Sequence, residues 1–337
     1  MTSIRTRLIS TLLLFGGVLA IVMIAAPLVG STPISLFRAF DRSVPLSENV
    51  DAQILFVSRL PRVLAAAVVG ASLAAAGVVF QALLRNPLAT PDTLGISSGA
   101  AFGAMVALTF RLELNVAGLS AIPLASLLGS LGALVTVYAL SVARRQGLST
   151  TVLLLSGVTM TAFLSALILF TQYLADFTDT FRAVRWLMGM LDVGGYMPIL
   201  AVMPTLVVAF VMLAWLPRPL DLLSFGRDAA SARGVDVTRA ERMALVGGSL
   251  ATGGAVSIGG PVAFIGIVVP HLVRLIVRSS DHRIVLPASA LFGAAFLVLC
   301  DLAARTLFSP LEIPVGIVTA LIGGPFFLWL LLKEHTR

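Results

Sequence analysis

The sequence predicts an all-α polytopic membrane protein, with ten transmembrane helices in a single domain over residues 1–337. Three observations carry that prediction: the composition, the spacing of the apolar runs and the placement of the basic residues. The chain is 58% hydrophobic and 12% charged, with a mean hydropathy of +1.02. That leaves too little polar surface to cover a water-soluble globule of 337 residues. The net charge of +7 does not point to nucleic acid, because the arginines punctuate apolar spans instead of gathering on one face. Cys300 is the only cysteine, so neither an intrachain disulfide nor a cysteine-based metal cluster fits. His271, His282 and His335 are scattered singly, and no metal or other cofactor is expected.

Each element follows from local pattern. Arg5 and Arg7 precede an apolar run over 8–29. The run is longer than the about 7–15 residues of a signal-peptide apolar core and reads as the first membrane helix. Residues 30–58 carry Pro33, Asp41, Pro45, Glu48 and Asp51 and are expected outside the bilayer. Arg59-Leu-Pro-Arg62 then opens an apolar run, closed by a turn bounded by Pro87 and Pro91, and a second apolar run follows. This reads as a helical hairpin that crosses the bilayer twice. The spans after the first are expected at 62–84, 93–110, 114–142, 151–173, 196–216, 240–258, 262–277, 284–306 and 313–332.

With the N-terminus inside, fifteen of the 23 basic residues fall inside, among them Arg85, Arg144, Arg145, Lys333 and Arg337. Arg38, Arg42, Arg59, Arg62, Arg111, Arg182, Arg185 and Arg305 fall outside. This excess satisfies the positive-inside rule and puts both termini in the cytoplasm. An internal echo is also visible. Arg62 is followed eight residues later by Gly70-Ala-Ser-Leu-Ala-Ala-Ala-Gly77, and Arg239 eight later by Gly247-Gly-Ser-Leu-Ala-Thr-Gly-Gly254. The two copies would run in opposite directions, as inverted repeats of transporters do, although small residues also line any packed membrane helix.

A Walker A loop needs Gly-Lys-Ser/Thr, and the only lysine, Lys333, follows Leu332. The chain therefore hydrolyses no ATP through such a loop. Its spans also lack the acidic and histidine relay of a proton-driven carrier. Asp301 is the exception, and an i, i+4 ion pair with Arg305 accounts for it. A secondary carrier working without an ATPase is the alternative class, and a membrane enzyme would need a catalytic set that the histidines do not supply.

Several motifs together resemble the FecCD (BtuC-like) permeases, whose members import vitamin B12, ferric siderophores and haem. They are Arg59-Leu-Pro-Arg62, Gln81, Arg85-Asn-Pro-Leu-Ala89, Pro91, Leu94-Gly95 and Ser98-Gly-Ala100 in the first half. In the second half they are Gly259 through Arg274, Asp301 through Arg305 and Glu312 through Phe327. The resemblance covers about residues 59–334. It implies a homodimer, two separate ATP-binding subunits, and a periplasmic or lipid-anchored substrate-binding protein, in the bacterial inner membrane. The cargo would be a metal chelate, with ferric siderophore first, then cobalamin and haem.

The same resemblance assigns roles to positions. Arg59, Arg62 and Arg305 match the outward arginines that meet acidic residues of the binding protein, although membrane-edge anchoring explains two of them equally simply. The cytoplasmic coupling loop, about residues 217–239, would set Phe225, Gly226, Arg227, Asp228, Ala229, Ala230, Arg233 and Gly234 against the ATPase. Gly226 reads as the break between two short helices and Gly234 as a C-terminal cap. Arg233 stands where the family has Leu. Asn86, Leu88, Thr150 and Thr151 match inner-gate positions, and also read locally as a turn and a helix cap. Pro261 and Pro270 are expected to interrupt the eighth span near the pathway. In the 175–196 stretch, Arg182 or Arg185 would meet acidic groups of a chelate, or else pair with Asp176, Asp179 or lipid phosphate.

Overall fold

The computed structural model describes residues 4–116, 119–142, 150–191 and 193–335. Arg144, Arg145, Asp192 and Arg337 of the sequence reading lie outside the described residues. Helix α1 (Ile4–Ala25) is followed by the short α2 (Leu36–Ala39) and α3 (Val50–Ala52). A π-helical stretch, Gln53–Arg59, carries α3 without interruption into α4 (Leu60–Leu84). The first half closes with α5 (Ile96–Thr109), a ladder of β1 (Asn115–Val116) and β2 (Leu119–Ser120), α6 (Ala121–Val142) and α7 (Thr150–Leu174). The second half holds α8 (Phe177–Leu187), α9 (Met197–Ala214), α10 (Pro217–Leu223), α11 (Arg227–Ala232) and α12 (Val237–Gly259). It ends with α13 (Ile265–Val277), α14 (His282–Thr306) and α15 (Val315–His335).

Six helices are long and apolar enough to cross a membrane: α1, the continuous Val50–Leu84 helix, α6, α7, α9 and α14. Helices α5, α13 and the 315–330 part of α15 are apolar but shorter. Helix α12 has spanning length and carries Arg239, Glu241 and Arg242 in its first turns.

The second span begins twelve residues earlier than the sequence pattern suggests, at Val50. Asn49 caps this start by accepting the Ala52 N–H at 3.0 Å. Pro61 lies inside the continuous helix, where its ring would crowd the carbonyl four residues back. The wider π turn directly precedes it.

Helices α4 and α12 form the centre, buried along most of their length, whereas α7 buries only a narrow stripe. Small residues let the backbones approach. A Cβ added at Gly77 would lie 2.1 Å from the Gly266 carbonyl of α13, and one at Gly70 would lie 2.2 Å from the Gly293 carbonyl of α14. The echoed glycines of α12 sit against α9: Gly247 faces Leu213 and Gly254 faces Leu206. Both glycine runs are thus packing surfaces.

Candidate functional site

The link between α4 and α5 is the first functional feature. Helix α4 ends on Arg85 in the left-handed region, φ 48°, and the Asn86 Oδ1 accepts the Leu88 N–H at 2.9 Å. A single 3₁₀ turn, Pro91–Leu94, then leads to Gly95 at φ 74° and into α5. This link turns back into the bundle instead of running along its edge. Pro91 packs on Gly266, which faces Gly77, seven residues before the end of α4. Thr93 and Leu94 pack on Gly157, seven residues into α7, where a Cβ would meet the Thr93 carbonyl at 2.2 Å. At 1.5 Å per residue the link re-enters by about 10 Å. Such backbone is tolerated at membrane depth where protein or a cavity surrounds it.

Beside the link lies a cavity of about 590 Å³. Asp92, Ser97 and Ser98 form one wall, Leu187 and Met188 at the end of α8 another. The α12–α13 break and α15 contribute Pro261 through Ala263 and Ile317. The chain is broken here between α12 and α13, from Gly260 at φ 67° to Phe264 at φ 69°, so the interruption precedes the eighth span instead of dividing it as expected. Pro270 itself stays within α13. Close backbone contacts hold the break: a Cβ at Gly316 would lie 2.2 Å from the Met188 carbonyl, and one at Gly260 would lie 2.4 Å from the Trp186 carbonyl.

Below the link, Gln81 joins two helices. Its amide donates to the Gly266 carbonyl at 2.9 Å, and its Oε1 accepts from Arg274 at 2.6 Å. Of the four gate candidates, Asn86 and Leu88 sit half-buried in the link, while Thr150 and Thr151 are exposed at the start of α7.

The three arginines assigned to docking come together at the other end of α4. Arg62 donates to Asp301 at 2.9 Å and to Glu312 at 2.7 Å. Arg305 lies 3.0 Å from the second Asp301 oxygen, the expected i, i+4 pair, and its Nη2 is buried without a hydrogen-bond partner among the described residues. Arg59 is buried and donates to the carbonyls of Pro27, Leu28 and Thr32. Gly30 leaves the space for its guanidinium: a Cβ there would lie 2.4 Å from Nη2. The sequence reading grouped Arg62 with Arg59 and Arg305 but paired Asp301 with Arg305 alone, and it missed the bonds of Arg62 to Asp301 and Glu312. All three arginines and Glu312 line a small cavity of about 190 Å³. Three guanidiniums face two carboxylates, so one positive charge is uncompensated within the cluster.

The coupling segment has the predicted local form. Helices α10 and α11 are separated by Gly226 at φ 113°, and Gly234 at φ 82° caps α11, with the Val235 N–H returning to the Ala230 carbonyl at 3.1 Å. Ala230 is fully buried, Asp228 is exposed, and Ala229 is half-buried. Phe225 projects, 71% exposed, with the Arg233 guanidinium 5.5 Å from its ring centre. The arginine that replaces the family's Leu therefore stacks on its neighbour. Two contacts tie this segment to the bundle. Arg227 pairs with the buried Glu241 of α12 at 2.9 Å, and Asp221 accepts from the backbone N–H of His282 at 2.9 Å and meets its Nδ1 at 2.6 Å.

Helix α8 is amphipathic, and Asp176 caps it by accepting the Asp179 N–H at 2.8 Å. Arg111 engages both Asp176 and Asp179, and Arg182 lies 3.8 Å from Asp179. Asp176 and Asp179 thus pair with protein cations. Arg182 and Arg185 line a separate side cavity of about 310 Å³ with Trp186.

No group of three or more His, Cys, Asp or Glu side chains able to hold a metal ion occurs among the described residues. A bundle with six helices long and apolar enough to cross a membrane has the architecture of a multi-pass membrane protein. The chain belongs to the FecCD transport family, which matches residues 18–333. It is 43% identical over 284 residues to the cobalamin import system permease protein BtuC of Halobacterium salinarum, covering 83% of this chain and 73% of that one. It is 38% identical over 285 residues to the hemin transport system permease protein HmuU of Yersinia pestis, covering 83% of each. A solved structure assigned to a metal-chelate type ABC transporter in an inward-facing conformation superposes with a TM-score of 0.80 at 33% identity, over 95% of this chain and 99% of that one.

Proposed function

We propose that this chain is the permease subunit of a binding-protein-dependent ABC importer that passes a metal chelate inward. The observation that carries the reading is the course of α14. It starts at His282, bonded to Asp221 of the coupling segment, and ends at Arg305 in the arginine cluster. One helix of 25 residues, about 37 Å long, thereby joins the two docking candidates, with the cavity beside the bundle between them.

In this reading Arg59, Arg62 and Arg305 meet acidic residues of a periplasmic or lipid-anchored binding protein. The uncompensated positive charge favours such a partner, and long-range attraction of this kind steers encounter more than it adds affinity. Residues 225–234 enter a cleft of the ATP-binding subunit. Asn86, Leu88, Thr150 and Thr151 close the pathway at the coupling end. Ten spans in an inverted repeat built on α4 and α12, paired as a homodimer in a bacterial inner membrane with both termini cytoplasmic, complete the assembly. ATP hydrolysis belongs to the separate subunit, and the chain is not itself an enzyme. Ferric siderophore is the first cargo proposed, then cobalamin and haem. A secondary carrier is disfavoured because the similar solved structure, 33% identical, is that of an ABC transporter.

The test is uptake of radiolabelled ferric siderophore, cobalamin and haem into proteoliposomes that hold the chain with its ATPase and binding protein. Uptake that requires ATP on the ATPase side is expected. Uptake driven by a proton gradient without ATP would overturn the reading.

A further inference from the structure

The re-entrant link carries a carboxyl group into the wall of the large cavity. Asp92 sits in the single 3₁₀ turn between α4 and α5 and is exposed to the cavity. Among the described residues lining that cavity, Asp92 is the only ionisable side chain, and its polar neighbours are the hydroxyls of Ser97 and Ser98. No Arg, Lys or His side chain among them offsets it. Its position is set by backbone: Thr161 of α7 donates to the Asp92 carbonyl at 3.3 Å, and Gly157 and Gly266 admit the residues on either side.

An ionisable side chain at membrane depth is costly, and it is found where it faces a cavity or pathway. A carboxylate on a cavity wall of low dielectric attracts cations and hydrogen-bond donors and repels anions, with little screening. We propose that Asp92 sets the charge preference of this cavity, which accepts neutral or cationic cargo and turns away anionic cargo. The inference rests on the transport reading above and narrows its cargo. It favours ferric trihydroxamate complexes that are neutral or carry a pendant ammonium, and disfavours tris-catecholate complexes with three negative charges. In a homodimer two such carboxylates would act on the same cargo.

The experiment has a labelling arm and an uptake arm. For labelling, Ser98→Cys is placed in a Cys300→Ala background, and its rates with cationic and anionic methanethiosulfonate reagents are compared. The cationic-to-anionic ratio falls about tenfold when Asp92→Asn is added and is retained with Asp92→Glu. An unchanged ratio in Asp92→Asn overturns the proposal. For uptake, wild type and Asp92→Asn are compared with the same binding protein and ATPase on the ammonium-bearing, neutral and tris-catecholate ferric complexes. A cationic-over-anionic preference that shrinks in Asp92→Asn supports the proposal, and an equal preference in both overturns it. If none of these complexes, nor cobalamin or haem, is taken up while the labelling ratio still shifts, the transport reading falls and the charge preference of the cavity stands.

Discussion

The arginine cluster and the coupling segment occupy opposite ends of α14 and are built in opposite ways. At the Arg305 end, charges are withdrawn from solvent. Asp301 is fully buried, Arg59 and Arg305 are 5% and 6% exposed, and Arg62 is held between two carboxylates. At the His282 end a small hairpin stands out from the bundle, with Phe225 exposed and Arg227 and Asp221 as its anchors. The first surface is preorganised by its own ion network. The second is a projecting lever whose shape comes from two glycines.

The largest expected effect separates the two ends by stability. Asp301→Ala leaves three guanidiniums together in a buried site, and breaking a buried pair costs about 3–5 kcal/mol. Thermal unfolding in detergent should show a large drop in Tm, whereas Phe225→Ala should leave Tm nearly unchanged, as exposed positions do. Equal losses in both variants would break the comparison.

Next in size is the functional loss in Phe225→Ala. An exposed aromatic that fills a partner's pocket is typically worth more than about 1.4 kcal/mol, so affinity for the ATP-binding subunit should fall about tenfold or more. Co-purification and substrate-stimulated ATP hydrolysis measure it. Unchanged coupling would remove Phe225 from the interface.

A smaller change is expected from Arg62→Ala measured against the binding protein. Removing one positive charge from the cluster weakens its long-range attraction for an acidic partner, so the association rate should fall several-fold at low salt and converge with wild type as the Debye length shortens toward about 3 Å at 1 M. Surface plasmon resonance across a salt series would show it. A purely dissociation-rate effect would mean that Arg62 acts through Asp301 instead.

The smallest effect concerns pH at the His282 end. The hydrogen bond from Arg283 holds the Asp281 carboxyl below the usual carboxylate range, and partial burial opposes it weakly. Asp281 therefore contributes stability that is present above its unfolded value, near about 3.9, and is lost as pH falls through the depressed folded value. Asp281→Asn should flatten the acid limb of the Tm-against-pH curve below about pH 4, with little change at neutral pH. An unchanged acid limb would show that the α14 start is held by His282 and Asp221 alone.

Much of the fold was legible in short stretches of sequence. The apolar runs announce α1, α6, α7, α9 and α14, and Gly226 and Gly234 announce the two coupling helices, because chain length, apolarity and left-handed caps act within a few residues. The Asp301–Arg305 pair follows from helical spacing for the same reason. The start of the second span was not legible, since the cap by Asn49 and the π turn before Pro61 let a helix continue through residues that read as a loop.

What the sequence alone determined is most of the long helices, the glycine breaks of the coupling segment and the placement of charge at helix ends. Only the tertiary structure decided which charges meet and how deep the links lie. Arg62 finds Asp301 from 239 residues away, and Asp92 reaches the cavity because Gly77, Gly157 and Gly266 let backbones approach from three helices. Local sequence sets conformation, but depth and pairing depend on which helices pack together, and that is settled by contacts between distant residues.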